Sequence, residues 1–153
     1  MGACFLTGNT VSGNSADSGG GARLYLLSDV ERADLHNNIV WNNGAPAGAD
    51  LELENDGDGN GIPSPVALFF NDFDQGPVGY LVTIPFPIDP SNLDNTDPLF
   101  RDPGGDDYRL QASSPLIDKG DDGAPHRPAL DHDGKARLMD ATVDPGAYEN
   151  PGH

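Results

Sequence analysis

Cysteine and lysine are nearly missing from this chain: Cys4 is its one cysteine, and Lys119 and Lys135 are its only lysines. A single thiol excludes an intrachain disulfide and any zinc site built from several cysteines. The shortage of cations says more. Eight Lys and Arg stand against 25 Asp and Glu, a formal charge of −17. Such a field repels a phosphate backbone, so nucleic-acid binding is excluded. No apolar window approaches the ~18 residues of a membrane-spanning helix, so no membrane span is expected. The first residues also lack the basic and apolar regions of a signal peptide.

Turn formers are plentiful: 20 Gly and 14 Pro in 153 residues, with 36% hydrophobic residues. That length is one domain with enough apolar content for a core, and the turn-rich composition predicts an all-β chain with many loops. The acidic excess fits a high-salt surface, an extracellular protein, or carboxylates neutralised by divalent cations.

The chain repeats itself. LTGNTVSGNSA (Leu6 to Ala16) superposes on LHNNIVWNNGA (Leu35 to Ala45) at an offset of 29, matching Leu6 with Leu35, Asn9 with Asn38, Val11 with Val40 and Asn14 with Asn43. At a further offset of 33, LFFNDFDQG matches Leu68 with Leu35, Asn71 with Asn38 and Phe73 with Val40. The second halves repeat as GARLYL, GADLEL and GYLVTI, which read as alternating strands with Leu24/Leu26, Leu51/Leu53 and Val82/Ile84 on one face. Units of about 30 residues without helical periodicity predict a parallel β-helix of about three coils over 1–84. Asn9, Asn38 and Asn71 are expected to hydrogen-bond from coil to coil and to take the left-handed corner conformation.

From about residue 85 prolines and aspartates interrupt the pattern, and 85–153 reads as an irregular C-terminal cap. Leu99, Phe100, Tyr108, Leu110, Leu116 and Ile117 are expected to cover the last apolar coil.

DPLFRDPGGDDYRLQASSPLIDKG (Asp97 to Gly120), followed by LDHDGKARLMDATVDPGAYE (Leu130 to Glu149), resembles the C-terminal end of bacterial right-handed parallel β-helix repeat proteins, a surface or secreted group often carrying a separate cell-surface anchor. The resemblance implies the right-handed form of the fold and a secreted or cell-surface location. Members of that group usually run to several hundred residues, so the chain reads as a C-terminal fragment with its first coil edge exposed, and a homodimer through that edge is expected.

ENDGDGNG (Glu54 to Gly61) falls in an insertion: eight residues separate Leu26 from Leu35, but fourteen separate Leu53 from Leu68. Asp56, Asp58, Asn60 and Gly61 reproduce D-x-D-x-[DN]-G, in which oxygens at alternate positions converge on a cation and glycine permits the sharp turn. The Ile62 carbonyl would follow. Position 12 is Ala67 in place of the usual Glu, so Glu52, Glu54, Asp72, Asp74 or water must complete the shell. Calcium, with about six to eight oxygens at flexible geometry, is the cation expected at Glu54, Asp56, Asp58, Asn60 and Ile62. A second acidic group, Asp121, Asp122, Asp131, Asp133 and Asp140, is read as a hairpin whose aspartates accept backbone N–H groups, with Arg137 paired to Asp144 or Glu149. His126 and His132 lack the spacing of a metal pair.

Asp72 and Asp74 share a face and could do paired acid/base work on a glycoside, although both are expected to face solvent. Trp41, Tyr25, Phe69 and Phe70 would form a sugar-stacking platform if exposed. Two functions follow: a calcium-binding extracellular module with a structural or glycan-binding role, or a polysaccharide-active enzyme, either a calcium-dependent lyase or a glycoside hydrolase. The lyase would need a cation beside the calcium loop, and the repeat alignment sets neither Arg23 nor Arg32 there.

Overall fold

The computed structural model describes residues 2–28, 30–56, 59–139 and 141–150. Its strands are short because the chain turns into the left-handed region every few residues. Gly8, Asn37 and Phe70 take φ of 68°, 55° and 55°, and Gly13 and Asn42 take 72° and 57°. These positions recur at the repeat offset. The left-handed residue is therefore the one before each matched asparagine, not Asn9, Asn38 or Asn71 as expected.

Between those corners the strands pair in parallel. One sheet holds β1 (Ala3–Thr7), β4 (Arg32–His36) and β7 (Val66–Phe69). A second runs β2 (Thr10–Ser12), β5 (Ile39–Trp41), β8 (Asp72–Phe73) and β10 (Leu93–Asp94). A third comprises β3 (Ala22–Tyr25), β6 (Leu51–Glu54) and β9 (Tyr80–Val82). An antiparallel pair, β11 (Phe100–Asp102) and β12 (Asp107–Leu110), follows around a 3-10 turn at Pro103–Gly105. No helix among the described residues is long and apolar enough to cross a membrane.

The fold is all-β with parallel pairing, but the expected right-handed parallel β-helix is corrected. The strands form separate sheets of three and four short strands, not a single continuous β-helix. The physical reason is the spacing of the left-handed corners, which end each hydrogen-bonded run after two to five residues.

The register follows the sequence offsets of 29 and 33 in the first two sheets. In the third it is two residues away from the matching of GARLYL, GADLEL and GYLVTI, a slip that keeps the same side chains inward. Leu6 stands on Leu35 and Leu35 on Leu68. Val11 stands on Val40, and Leu24 stands on Leu53, which stands on Val82. Alternation sends these side chains inward, so Leu35, Val40, Leu51, Leu53, Leu68 and Phe73, drawn from all three sheets, share one apolar core. A line of amides runs beside it. Asn9 Nδ2 donates to Asn38 Oδ1 (2.9 Å), Asn38 Nδ2 to Asn71 Oδ1 (2.8 Å) and Asn71 Nδ2 to Asn92 Oδ1 (3.0 Å). Each acceptor oxygen also takes the backbone N–H of the preceding asparagine. Asn38 and Asn71 are buried, and this exchange satisfies polar groups that would otherwise be costly there. Asn92 and β10 extend the stacking into the segment expected to be irregular.

The C-terminal part covers a different surface from the one anticipated. Phe100, Leu110 and Leu116 pack with Ile39 on the outer face of the four-stranded sheet, together with Tyr108 and Ile117. Leu99 takes φ 51° and stays out of that cluster. Residues 121–139 and 141–147 then run back along the repeats. Asp121 N–H donates to Asn37 Oδ1 (2.8 Å), Gly146 N–H to the Asn37 carbonyl (2.7 Å) and Ala147 N–H to Thr10 Oγ1 (3.0 Å). The Thr7 hydroxyl donates to the Pro125 carbonyl (2.9 Å).

Candidate functional site

The acidic loop leaves β6 at Glu54, and buried Asn55 fixes its base: Asn55 Nδ2 donates to the Ile84 carbonyl (3.1 Å), while Ile84 N–H returns a bond to Asn55 Oδ1 (2.8 Å). Beyond it, Asp56 Oδ1 accepts Gly61 N–H (3.1 Å) and Asn60 Oδ1 accepts Ile62 N–H (2.8 Å). The Ile62 side chain is exposed. Asp58 lies outside the described residues. Glu54 faces away from the loop toward Arg23, whose Nε donates to Glu54 Oε1 at 2.8 Å. Glu52 accepts Ser18 Oγ at 2.5 Å and lies 3.5 Å from Arg23 Nε. Asp72 and Asp74 belong to a different sheet region from this loop. Among the described residues no three His, Cys, Asp or Glu side chains converge as a metal set.

Arg23 is thus a cation beside the entry to the loop, contrary to the expectation. The alignment of GARLYL with GADLEL hid this, since it stands Arg23 on Asp50; the 29-residue offset of the first halves gives the observed pairing of Arg23 with Glu52, two residues before Glu54.

The second acidic group is internally bonded. Asp131 accepts Lys135 N–H and Glu149 N–H (2.8 and 3.0 Å). Arg109 grips Asp133 through Nε and Nη2 (2.8 and 2.6 Å) and holds its carboxyl down at about 2. Arg137 and Glu149 are both buried, with Nη1 3.6 Å from Oε2, and burial pushes the Glu149 carboxyl up to about 8. His126 stacks on Phe5 and His132 on Tyr148. Asp140 lies outside the described residues.

A polar concavity lies elsewhere. A cleft of about 280 Å³ is lined by Trp41, Asn42, Asn43, Ala49, Asp50, Asp74 and Asn95. Its logic is the repeat. Ser12 stands on Trp41, and continuing the Ile39–Asp72–Leu93 register two residues onward brings Trp41, Asp74 and Asn95 into one column. Val40 points into the core, so Trp41 points out, half-buried and edge-on to Phe100 (80°, 6.1 Å between centroids). Asn42 and Asn95 both take left-handed conformations, which turn the chain away from the strands and open the space. Asp50 is buried at the back. Its Oδ1 accepts Asn43 Nδ2 (3.0 Å) and its Oδ2 accepts Asp74 N–H (3.0 Å), so its charge is fixed in place by the walls. Asp74 Oδ1 accepts Gly76 N–H at 2.8 Å.

Sequence reasoning named Trp41 and Asp74 separately and did not join them. Adding the 33-residue offset to Trp41 gives Asp74, a step available from the sequence. Asp72 was expected to face solvent beside Asp74, and this is corrected. Its outward face lies under the C-terminal cover, it is fully buried, and its Oδ1 accepts Thr96 N–H (2.9 Å) while Oδ2 has no partner. Burial, with Asp50, Asp94 and Asp97 adding to it against the Thr96 bond, pushes the Asp72 carboxyl up to about 7. The two aspartates therefore do not face one shared substrate space. Of the other aromatics in the expected platform, Tyr25 is exposed on a different sheet, and Phe69 packs against His36.

Compared with known proteins, the chain matches no family model, no curated protein and no solved structure.

Proposed function

We propose that this protein is a glycan-binding module whose ligand lies in the Trp41 cleft. The observation that carries the reading is the immobilised indole of Trp41 at the wall of a polar cleft. An indole face offers C–H stacking to a pyranose ring, while Asn42, Asn43, Asn95 and Asp74 supply donors and acceptors for its hydroxyls. A rigid aromatic that loses little freedom on binding is an economical anchor.

Trp41 is the only tryptophan, so intrinsic fluorescence reports on this cleft alone. Titration with a panel of oligosaccharides should shift its emission, and Trp41→Ala should weaken binding about tenfold or more with the fold preserved. Unchanged calorimetric affinity in Trp41→Ala would sink the reading.

Calcium at the Glu54–Ile62 loop is a second proposal, favoured by the Gly61 N–H bond to Asp56 Oδ1, which curls the loop between its acidic and amide side chains. Calorimetry of the intact chain should register calcium in preference to magnesium and lose the signal in the Asp56→Ala, Asp58→Ala double variant. An isotherm unaltered by the double substitution refutes it.

A further inference from the structure

The cleft also has a sign. No Lys, Arg or His lines it, whereas Asp50 and Asp74 do. Asp94, next to the lining Asn95, stands beside it and accepts Gln75 N–H at 3.0 Å. None of these three aspartates forms an ion pair among the described residues. The ion pairs lie elsewhere: Arg23 with Glu52 and Glu54, Arg32 with Asp34, Arg109 with Asp107 and Asp133, Lys135 with Asp133, and Arg137 with Glu149. The protein has used its scarce cations on other surfaces and left this wall uncompensated.

The arrangement inside the cleft strengthens the point. Asp50 is held by N–H donors and has no cationic partner, so its negative charge projects into a space partly closed to solvent, where screening is weaker than at an open surface. Trp41 lines the same cleft, and an indole π system also favours a cation. A carboxylated sugar would meet repulsion from both aspartates and no compensating guanidinium or ammonium.

Resting on the glycan reading above, we infer that the cleft selects an amino sugar with a free ammonium group, a glucosamine-type unit, over uronic acids and over its own N-acetylated form. The hexosamine ring would stack on Trp41 while its ammonium meets Asp74 and the field of Asp50. An amino sugar combines the two features that the walls offer, a pyranose face and a positive charge. A lysine side chain offers only the second.

The test uses the whole chain and Trp41 emission, read in parallel by calorimetry at slightly acidic pH, with a glucosamine tetramer, its fully N-acetylated counterpart, a galacturonate tetramer and tetralysine. The expected result is binding of the glucosamine tetramer about tenfold tighter than the acetylated one, weakened by added salt, with no detectable galacturonate binding. Asp74→Asn keeps the Oδ1 acceptor for Gly76 and should narrow the gap between the amino and acetylated tetramers. Equal, salt-insensitive binding of those two tetramers would overturn the charge selection while leaving the glycan cleft standing. Tetralysine binding as tight as the glucosamine tetramer, with the same emission change, would overturn the sugar assignment. Glucosamine binding unchanged in Trp41→Ala would overturn both the inference and the cleft reading beneath it.

Discussion

The repeats and the C-terminal strap bury polar groups by opposite means. In the repeats, Asn9, Asn38, Asn71 and Asn92 exchange neutral amide bonds in a row, with Asn38, Asn71 and Asn92 acting as both donor and acceptor. In the strap, buried Asp131, Arg137, Asp144 and Glu149 are held by charge and by backbone N–H donors. A neutral amide can be stacked again in the next repeat without accumulating charge. A carboxylate cannot. The difference shows why asparagine is the periodic residue, while acids buried among the repeats, such as Asp34 and Asp72, stand at positions where no second acid recurs.

Arg137→Met should open the widest gap between the two regions. It removes the one cation from a buried set of carboxylates and the donor to the Gly146 carbonyl, and chemical denaturation should read a loss of about 3–5 kcal/mol. Asn38→Ala tests the other side. It cuts the ladder in its buried middle and strips partners from Asn9, Asn71 and the Leu6 carbonyl, for about 2–3 kcal/mol.

The seam between the regions is Asp72, whose folded value of about 7 lies above its ordinary 3.8. A carboxyl raised in this way favours the folded state fully below 3.8 and loses that contribution as pH rises through about 7. Thermal melts should therefore fall across that window. Asp72→Asn, which retains the Oδ1 acceptor for Thr96, should flatten the fall and gain about 1–2 kcal/mol at mildly alkaline pH. A slope identical to the parent's would remove Asp72 from the account. The smallest effect belongs to Asn14→Ala. Asn14 is exposed and its side chain donates to Asn43 Oδ1 and the Ser12 carbonyl, so its loss should cost about 0.5 kcal/mol.

How much was legible follows from which forces are local. Leu6–Leu35–Leu68 and Asn9–Asn38–Asn71 could be aligned by eye because stacking requires like residues at like positions. The same offset, carried one residue past Phe73, would have assembled the Trp41–Asp74 wall. Asp72 was misread because alternation shows which way a side chain points but not what covers that face, and its cover comes from residues 100–117. The strap was beyond sequence reasoning for the same cause: its Asp121 bond to Asn37 spans 84 residues and follows no period. Continuous β-helical winding was expected from the period and from the resemblance of residues 97–149; of the left-handed residues that divide the sheets, Gly8, Gly13, Asn37 and Asn42 are of the types that favour that conformation, but Phe70 carries no such mark.

The bond from Ala147 N–H to Thr10 Oγ1 joins residues 137 apart. During synthesis the first repeats leave the ribosome long before the strap that binds them, so the nascent chain must wait with the outer face of Ile39 bare until residues 100–147 follow. Such distant closure ties the repeat that holds Thr10 to the segment that follows the repeats, giving cooperativity to an architecture whose repeats otherwise need only their neighbours.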